Sequence, residues 1–235
     1  MNLTTAKVLV TGGSSGIGLA TARYLAARGA RVVICGRRAD ALDAAAKAAN
    51  AIPIVADVSR ESDVQRLVET TIGELGGYDT LINNAGFGRF APLVETTVAD
   101  FRSVWETNVL GAMLVARESA RHFITQRYGN IVNVASTSAQ RAGAGGSSYA
   151  SSKFALAGLT QAWRAELRKH DIRVMQINPS EVLTEFRANS GRAAPADNPT
   201  KLHADDIAKV IADMLALDDR GFVTEATVWA TNPQD

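Results

Sequence analysis

Residues 11–18 are Thr11-Gly12-Gly13-Ser14-Ser15-Gly16-Ile17-Gly18, and they separate a short apolar run from an amphipathic segment. A turn from a strand into a helix needs residues without a Cβ if backbone amides are to approach a pyrophosphate at the positive end of that helix. The glycine spacing is Gly-x-x-x-Gly-x-Gly, not the more usual Gly-x-Gly-x-x-Gly. Taken alone, the stretch fits a plain strand-to-helix connection equally well, so its surroundings must decide.

Around this turn, apolar runs rich in β-branched residues alternate with amphipathic segments. Runs that are apolar on both faces are typical of strands covered by helices on either side. They predict strands at Lys7–Val10, Arg31–Cys35, Ile52–Val55, Thr80–Ile82, Asn130–Val134, Ile172–Ile177 and Val223–Trp229. The helices predicted between them are Leu19–Arg28, Ala39–Ala49, Ser62–Leu75, Val98–Gln126, Ala150–Arg168 and Ala204–Leu217. This alternation predicts one α/β domain over residues 1–235, with a parallel sheet and right-handed crossovers.

The composition narrows the class of partners. The chain is 46% hydrophobic and 21% charged, and 25 Lys and Arg against 24 Asp and Glu leave a net charge of +1. This charge is too small for the electrostatic footprint of a nucleic-acid or membrane-surface binder. The single cysteine, Cys35, cannot form an internal disulfide, and no signal peptide or membrane span is apparent, so we expect a cytoplasmic protein. The three histidines are too scattered to predict a metal site.

The residues after the second predicted strand bear on nucleotide recognition. Where an acidic residue would accept from an adenosine ribose 2′-hydroxyl, this chain has Gly36-Arg37-Arg38. Two arginines there suit a 2′-phosphate; the alternative is solvated charge at a strand end. Asp57, after the third strand, can accept from an adenine amino group or cap the helix that starts near Glu61.

A second constellation opens the helix after the fifth strand, where Tyr149 and Lys153 stand four residues apart. This spacing puts both on one helical face, and a neighbouring cation favours the phenolate form of a tyrosine. Ser136 follows the fifth strand, at the sheet edge where ligands bind in open parallel sheets. A phenol poised to give up a proton beside a hydroxyl donor is what carbonyl reduction needs. The alternative for the pair is an exposed helical contact.

Together these residues resemble the single-domain branch of the short-chain dehydrogenase/reductase family. The likeness covers nearly the whole chain. It includes the glycine turn, Asn83-Asn84-Ala85-Gly86, Asn108, Ser136, Tyr149-x-x-x-Lys153, and Asn178-Pro179 followed by Val182 and Thr184.

The resemblance implies a Rossmann fold, a doubly wound seven-stranded sheet with helices on both faces. It implies catalytic roles for Asn108, Ser136, Tyr149 and Lys153. The residues that it implies for cofactor binding are Gly12, Ser14, Ser15, Gly16, Ile17, Gly18, Arg37, Arg38, Asp57, Val58, Asn84, Ala85, Gly86, Tyr149, Lys153, Pro179, Val182 and Thr184. It also implies a homodimer or homotetramer formed through helices 104–116 and 154–163, whose apolar residues exceed one core-facing stripe.

The chain departs from the family pattern in places. Pro179-Ser180-Glu181 replaces a Pro-Gly pair and puts an acidic group beside the nicotinamide. Ser15 stands where many NADP-preferring members carry a basic residue, and the last residues, 224–235, lack the usual Asp-Gly-Gly ending.

Residues 180–203 lack clear periodicity and predict a flap that closes over the substrate. Candidate pocket residues are Phe87, Arg89, Phe90, Arg141 and Phe186.

Four functions agree with these observations. The first is NADPH-dependent reduction of a ketone or aldehyde. The second is reduction of a 3-oxoacyl thioester on acyl carrier protein, docked by Arg127 and Lys169. The third is an NAD-dependent alcohol or sugar dehydrogenase, which Arg37 disfavours. The fourth is a non-catalytic dinucleotide sensor, which would be expected to have lost Tyr149 or Lys153.

Overall fold

The protein is described by a computed structural model that covers residues 1–191, 198 and 200–232. Its strands are β1 (Lys7–Thr11), β2 (Arg31–Gly36), β3 (Ile52–Val55), β4 (Thr80–Asn83), β5 (Gly129–Val134), β6 (Ile172–Pro179), β7 (Val182–Leu183), β8 (Leu202–His203) and β9 (Glu225–Val228). Within the described residues, seven strands form one sheet in the order β3-β2-β1-β4-β5-β6-β9, with every pair parallel. The predicted seven-stranded parallel sheet is confirmed.

Helices cover both faces of this sheet. They are α1 (Gly16–Ala26), α2 (Ala39–Ala49), α3 (Glu61–Leu75), α4 (Val98–Trp105), α5 (Ala112–Gln126), α6 (Ser147–Leu167), α7 (Phe186–Asn189) and α8 (Ala204–Ala216). In β1, Val8 and Val10 join the apolar cluster that contains residues of α1, α2 and α8. Leu9, between them, joins the cluster on the other face, which contains residues of α3 and α5. The strands are therefore apolar on both faces because each face is a core. None of the described helices is long and apolar enough to cross a membrane.

One predicted helix differs from the structure. The helix expected at Val98–Gln126 is divided into α4 and α5 by a π-helical turn, Glu106–Gly111. Two close contacts hold this turn: the Asn108 side chain bonds to the backbone of Phe87, and Gly111 packs so tightly that a Cβ there would lie 2.8 Å from Val58 Cγ2. Both partners are remote in sequence, so the apolar pattern of the helix carries no trace of the interruption.

The predicted flap, residues 180–203, has structure of its own where it is described. Two strands that the sequence did not predict, β7 and β8, pair in parallel, and the short helix α7 lies between them. Residues 192–197 and 199 of the predicted flap lie outside the described residues.

Two helices begin earlier than predicted. α1 begins at Gly16 and α6 at Ser147, because their first turns carry polar and glycine residues that apolar periodicity does not detect.

Far from the cleft described below, buried Arg173 closes the carboxyl end of α8. Its guanidinium donates to the carbonyl oxygens of Leu215, Leu217 and Gly221 and to Asn130 Oδ1. We expect Arg173→Met to lower the free energy of unfolding by about 3 kcal/mol, because it removes a buried charged donor that serves four acceptors, among them the buried Asn130 Oδ1. Urea unfolding would measure this. Arg220→Met, at a strongly exposed arginine, is the matched control; equal losses in both variants would contradict the capping role.

Candidate active site

A cleft of about 1130 Å³ runs along the carboxyl edge of the sheet. The order in which strands are added to the sheet reverses there, because β1 has β2 on one side and β4 on the other. Ligands of open α/β sheets bind in this kind of crevice, at the carboxyl ends of the strands. Most of the predicted site residues line it; Gly18 and Asn108 do not, because both are packed behind its wall.

The glycine turn forms the floor of the cleft. Gly12 and Gly16 have positive φ angles of 66° and 54°, and a Cβ at Gly18 would lie 2.3 Å from the Gly12 carbonyl oxygen. Asn84 follows β4, the neighbour of β1 in the sheet. Its Nδ2 donates to the carbonyl oxygens of Thr11 and Gly12 and so holds the turn in place. Ser15 makes no side-chain cap to α1, so the first amides of the helix meet the cleft without a competing side chain. This arrangement suits an anion at the helix N-terminus.

One end of the cleft presents positive charge. Arg37 and Arg38 are both exposed, both line the cleft, and neither forms an ion pair with any described residue. Asp57 does not cap α3, which begins after Arg60 without a side-chain cap. Its carboxylate instead accepts from the backbone and hydroxyl of Ser59. Of the two interpretations of Asp57, the contact with adenine therefore stays a prediction.

The other end brings together Ser136, Tyr149 and Lys153. Ser136 Oγ accepts from the backbone N–H of Ser138 at 3.1 Å, which fixes the side chain just after β5. Lys153 lies one helical turn beyond Tyr149 in α6, with its Nζ 5.7 Å from the centre of the tyrosine ring. Its ammonium donates to the carbonyl oxygen of Val134 at 2.8 Å. The structure thus brings the three residues to one place, as the sequence predicts.

Lys153 is buried, and burial lowers its pKa from 10.5 to about 8. Removing an ammonium from water disfavours its charged form. Val134 is the sole hydrogen-bond acceptor found for it among the described residues, so the remaining donors of the ammonium are available to a ligand.

Asn108 occupies the π-helical turn and joins three elements. Its amide nitrogen donates to Phe87 O at 2.9 Å and to Ser152 Oγ at 3.0 Å, and its Oδ1 accepts from the Phe87 N–H. A Cβ on Gly86 would lie 3.0 Å from that Oδ1 and 3.7 Å from Lys153 Nζ. In this structure the Asn108 side chain therefore holds the loop after β4 against α6, beside Lys153.

Aromatic rings surround Tyr149. The ring centres of Phe90 and Phe186 lie 5.5 Å and 5.2 Å from that of Tyr149. Phe87 and Arg89 line the same end of the cleft, whereas Arg141 is exposed and lies outside its lining. The candidate pocket residues are thus brought together except for Arg141.

Glu181 lines the cleft, but its carboxylate binds the two cations Arg187 and Lys201, at 2.7 Å and 2.9 Å. These hydrogen bonds lower the pKa of Glu181. These two ion pairs connect the residue before β7 to α7 and to the residue before β8. Sequence reasoning found Glu181 as a departure from the family pattern but missed both partners, because nothing in their spacing marks them.

The sheet topology and the glycine turn at its switch point define a Rossmann-type α/β protein. Residues 6–195 match the family model for short chain dehydrogenases, so the chain belongs to the short-chain dehydrogenase/reductase family, whose enzymes are oxidoreductases that use NAD or NADP.

Relatives of this chain carry different names. It is 37% identical over 191 residues to the uncharacterized oxidoreductase YxnA of Bacillus subtilis, covering 78% of this chain but about half (54%) of that protein. It is 38% identical over 179 residues to a 3-oxoacyl-[acyl-carrier-protein] reductase of Bos taurus, covering 75% and 76% of the two chains. The crystal structure of levodione reductase superposes with a TM-score of 0.87 at 30% identity, over 96% of this chain and 97% of that one.

Proposed function

We propose that the protein is an NADPH-dependent reductase that converts a ketone or aldehyde into an alcohol. The observation that carries this proposal is the buried Lys153 ammonium beside Tyr149 and Ser136 at one end of a cleft whose other end holds Arg37 and Arg38, which pair with no acidic residue that the structure describes.

The residues present fit a nicotinamide dinucleotide. The turn 12–18 offers backbone amides and a helix N-terminus to a pyrophosphate, and glycine at position 12 lets it pack closely on the loop after β4, because a Cβ there would lie 2.9 Å from Ala85 Cα. Arg37 and Arg38 would hold a 2′-phosphate, and Asp57 and Val58 the adenine. Pro179, Val182 and Thr184 would border the nicotinamide. When bound, the cofactor supplies the hydride for the carbonyl carbon.

Tyr149 would donate its hydroxyl proton to the carbonyl oxygen as negative charge develops there, acting as general acid. Ser136 would hold the same oxygen by a hydrogen bond; because its Oγ already accepts from Ser138, its hydroxyl hydrogen is free to point elsewhere. Lys153 would stabilise the tyrosinate through its charge, which acts more strongly when it is buried. Asn108 would keep Lys153 and the loop after β4 in place.

We also propose that the protein forms an oligomer. Leu110 and Phe154 are 42% and 46% exposed on the two helical segments expected between subunits, which supports a homodimer or homotetramer. Closure of the flap at 180–203 over the substrate stays a prediction. We propose a cytoplasmic location, in accord with the lone Cys35. Arg127 and Lys169 precede β5 and β6, at the sheet edge opposite the cleft, so these two residues do not favour docking of acyl carrier protein beside the cleft of the same chain.

Reduction itself is tested by following NADPH oxidation at 340 nm against ketones and aldehydes. Turnover of at least one carbonyl compound with NADPH is expected. Tight NADPH binding without turnover of any of them would favour the dinucleotide sensor instead.

The coenzyme preference is tested by Arg37→Ala/Arg38→Ala. The double variant should lose about ten- to more than a hundredfold in NADPH affinity, because charge-assisted hydrogen bonds to the 2′-phosphate disappear, while NADH binding stays nearly unchanged. The ratio of kcat/KM for NADPH and NADH measures this. Arg28→Ala, at the far end of α1, is the control. A wild-type preference for NADH, or an unchanged ratio in the double variant, would refute the assignment.

A further inference from the structure

The substrate end of the cleft has aromatic walls. Phe90, on the loop after β4, and Phe186, the first residue of α7, approach the ring of Tyr149, with interplanar angles of 47° and 57°. Both also converge on Gly88, where a Cβ would lie 2.5 Å from Phe90 Cε2 and 3.2 Å from Phe186 Cζ. Glycine at this position therefore lets the two rings meet beside the group that would protonate the substrate.

Phe186 is held in this position by its neighbours. Its backbone N–H donates to Thr184 Oγ at 3.2 Å, and the adjacent Arg187 is paired with Glu181. Glu181 also binds Lys201, which ties the segment to the start of β8. Phe186 is thus fixed by polar contacts on both sides and acts as a wall of the site.

The charges around these walls balance one another. Arg89 pairs with Asp100 at 3.5 Å and stacks over the ring of Phe87. Arg187 and Lys201 share the carboxylate of Glu181, and Glu185, also in the lining, is exposed and has no cation partner among the described residues. Apart from Lys153, the described charges here are three cations, Arg89, Arg187 and Lys201, and three carboxylates, Asp100, Glu181 and Glu185. Among the described residues at this end of the cleft, a substrate carboxylate or phosphate would find no cation other than Lys153 that lacks an acidic neighbour, and Glu185 would repel it.

From the aromatic walls and the balanced charges we infer that the substrate is an uncharged carbonyl compound with a ring at or next to its carbonyl group, packed against Phe90 and Phe186. This inference rests on the proposed carbonyl reduction. Apolar walls with few polar groups favour neutral ligands, and contacts between rings add about two- to tenfold in affinity beyond the area that they bury.

The test uses the full chain with saturating NADPH and substrates matched in pairs. Methyl benzoylformate and benzoylformate share one ring ketone and differ by a negative charge; acetophenone and 2-octanone are ketones of equal carbon number with and without a ring. We expect kcat/KM to be at least tenfold higher for the ester than for the anion, and several-fold higher for acetophenone than for 2-octanone. A 3-oxoacyl thioester is included as a non-cyclic competitor.

Phe186→Ala and Phe90→Ala should each lower the ratio of kcat/KM for acetophenone to kcat/KM for 2-octanone several-fold, and Phe186→Leu should recover only part of this loss. Phe101→Ala, at a phenylalanine outside the cleft lining, is the control. Equal turnover of benzoylformate and its ester, preference for 2-octanone or the thioester, or no ring-specific effect of either variant would overturn the substrate class alone. No turnover of any carbonyl, propanal included, would overturn the proposed reduction, and this inference with it.

Discussion

Tyr149→Phe should lower kcat for carbonyl reduction by roughly 10²- to 10⁴-fold, while NADPH still binds. Phenylalanine preserves the ring that packs between Phe90 and Phe186 but lacks the proton that the carbonyl oxygen must gain, and general acid catalysis typically contributes that factor. Steady-state kinetics give kcat, and fluorescence titration gives the Kd for NADPH.

Tyr24→Phe is the matched control for this change, because Tyr24 lies on α1 under Arg28, outside the cleft lining. Its turnover should equal that of the wild type. If Tyr149→Phe kept more than a tenth of wild-type turnover, Tyr149 would not be the general acid.

Lys153→Met should abolish most turnover and yet make the protein more stable at pH 7. Burial lowers the lysine pKa from 10.5 to about 8, so at pH 7 the folded state bears the full cost of the buried charge, about 3 kcal/mol. Methionine removes that cost but leaves the carbonyl of Val134 without its donor, which costs about 1–3 kcal/mol. We expect a net gain of about 1 kcal/mol in the free energy of unfolding.

The pH dependence separates this explanation from a simple packing effect. Between pH 8 and 10.5 the unfolded wild type holds more protons at Lys153 than the folded one, so wild-type stability should rise with pH in this window relative to the variant. Urea unfolding at pH 7, 8.5 and 10 measures the difference. The advantage of Lys153→Met should shrink or reverse by pH 10; a constant difference would contradict the burial of a charged lysine.

Local sequence patterns were enough to predict part of the candidate site. The glycine turn, the four-residue spacing of Tyr149 and Lys153, and the position of Ser136 after a strand could be recognised because each depends on one short stretch and on its place at a strand end. The structure brings these residues to one cleft, since the carboxyl ends of parallel strands share one edge. The interpretation of Asp57 as a helix cap was wrong, because α3 begins after Arg60.

Other parts of the site depended on contacts between distant segments. The π-helical turn at Asn108 exists because its side chain binds the backbone of Phe87 and its Gly111 packs on Val58, and neither contact changes the apolar periodicity. Glu181 lines the cleft, but its pairing with Arg187 and Lys201 required the chain to fold back through β7 and β8.

The sequence by itself determined the parallel α/β sheet, the glycine turn and the helical face shared by Tyr149 and Lys153, because strand alternation and helical spacing are properties of neighbouring residues. Only the tertiary structure decided that Phe90 and Phe186 meet at Tyr149 and that Lys153 is buried enough to lower its pKa. The physical reason is that ring packing and desolvation depend on which distant segments share a space, and no local pattern encodes that.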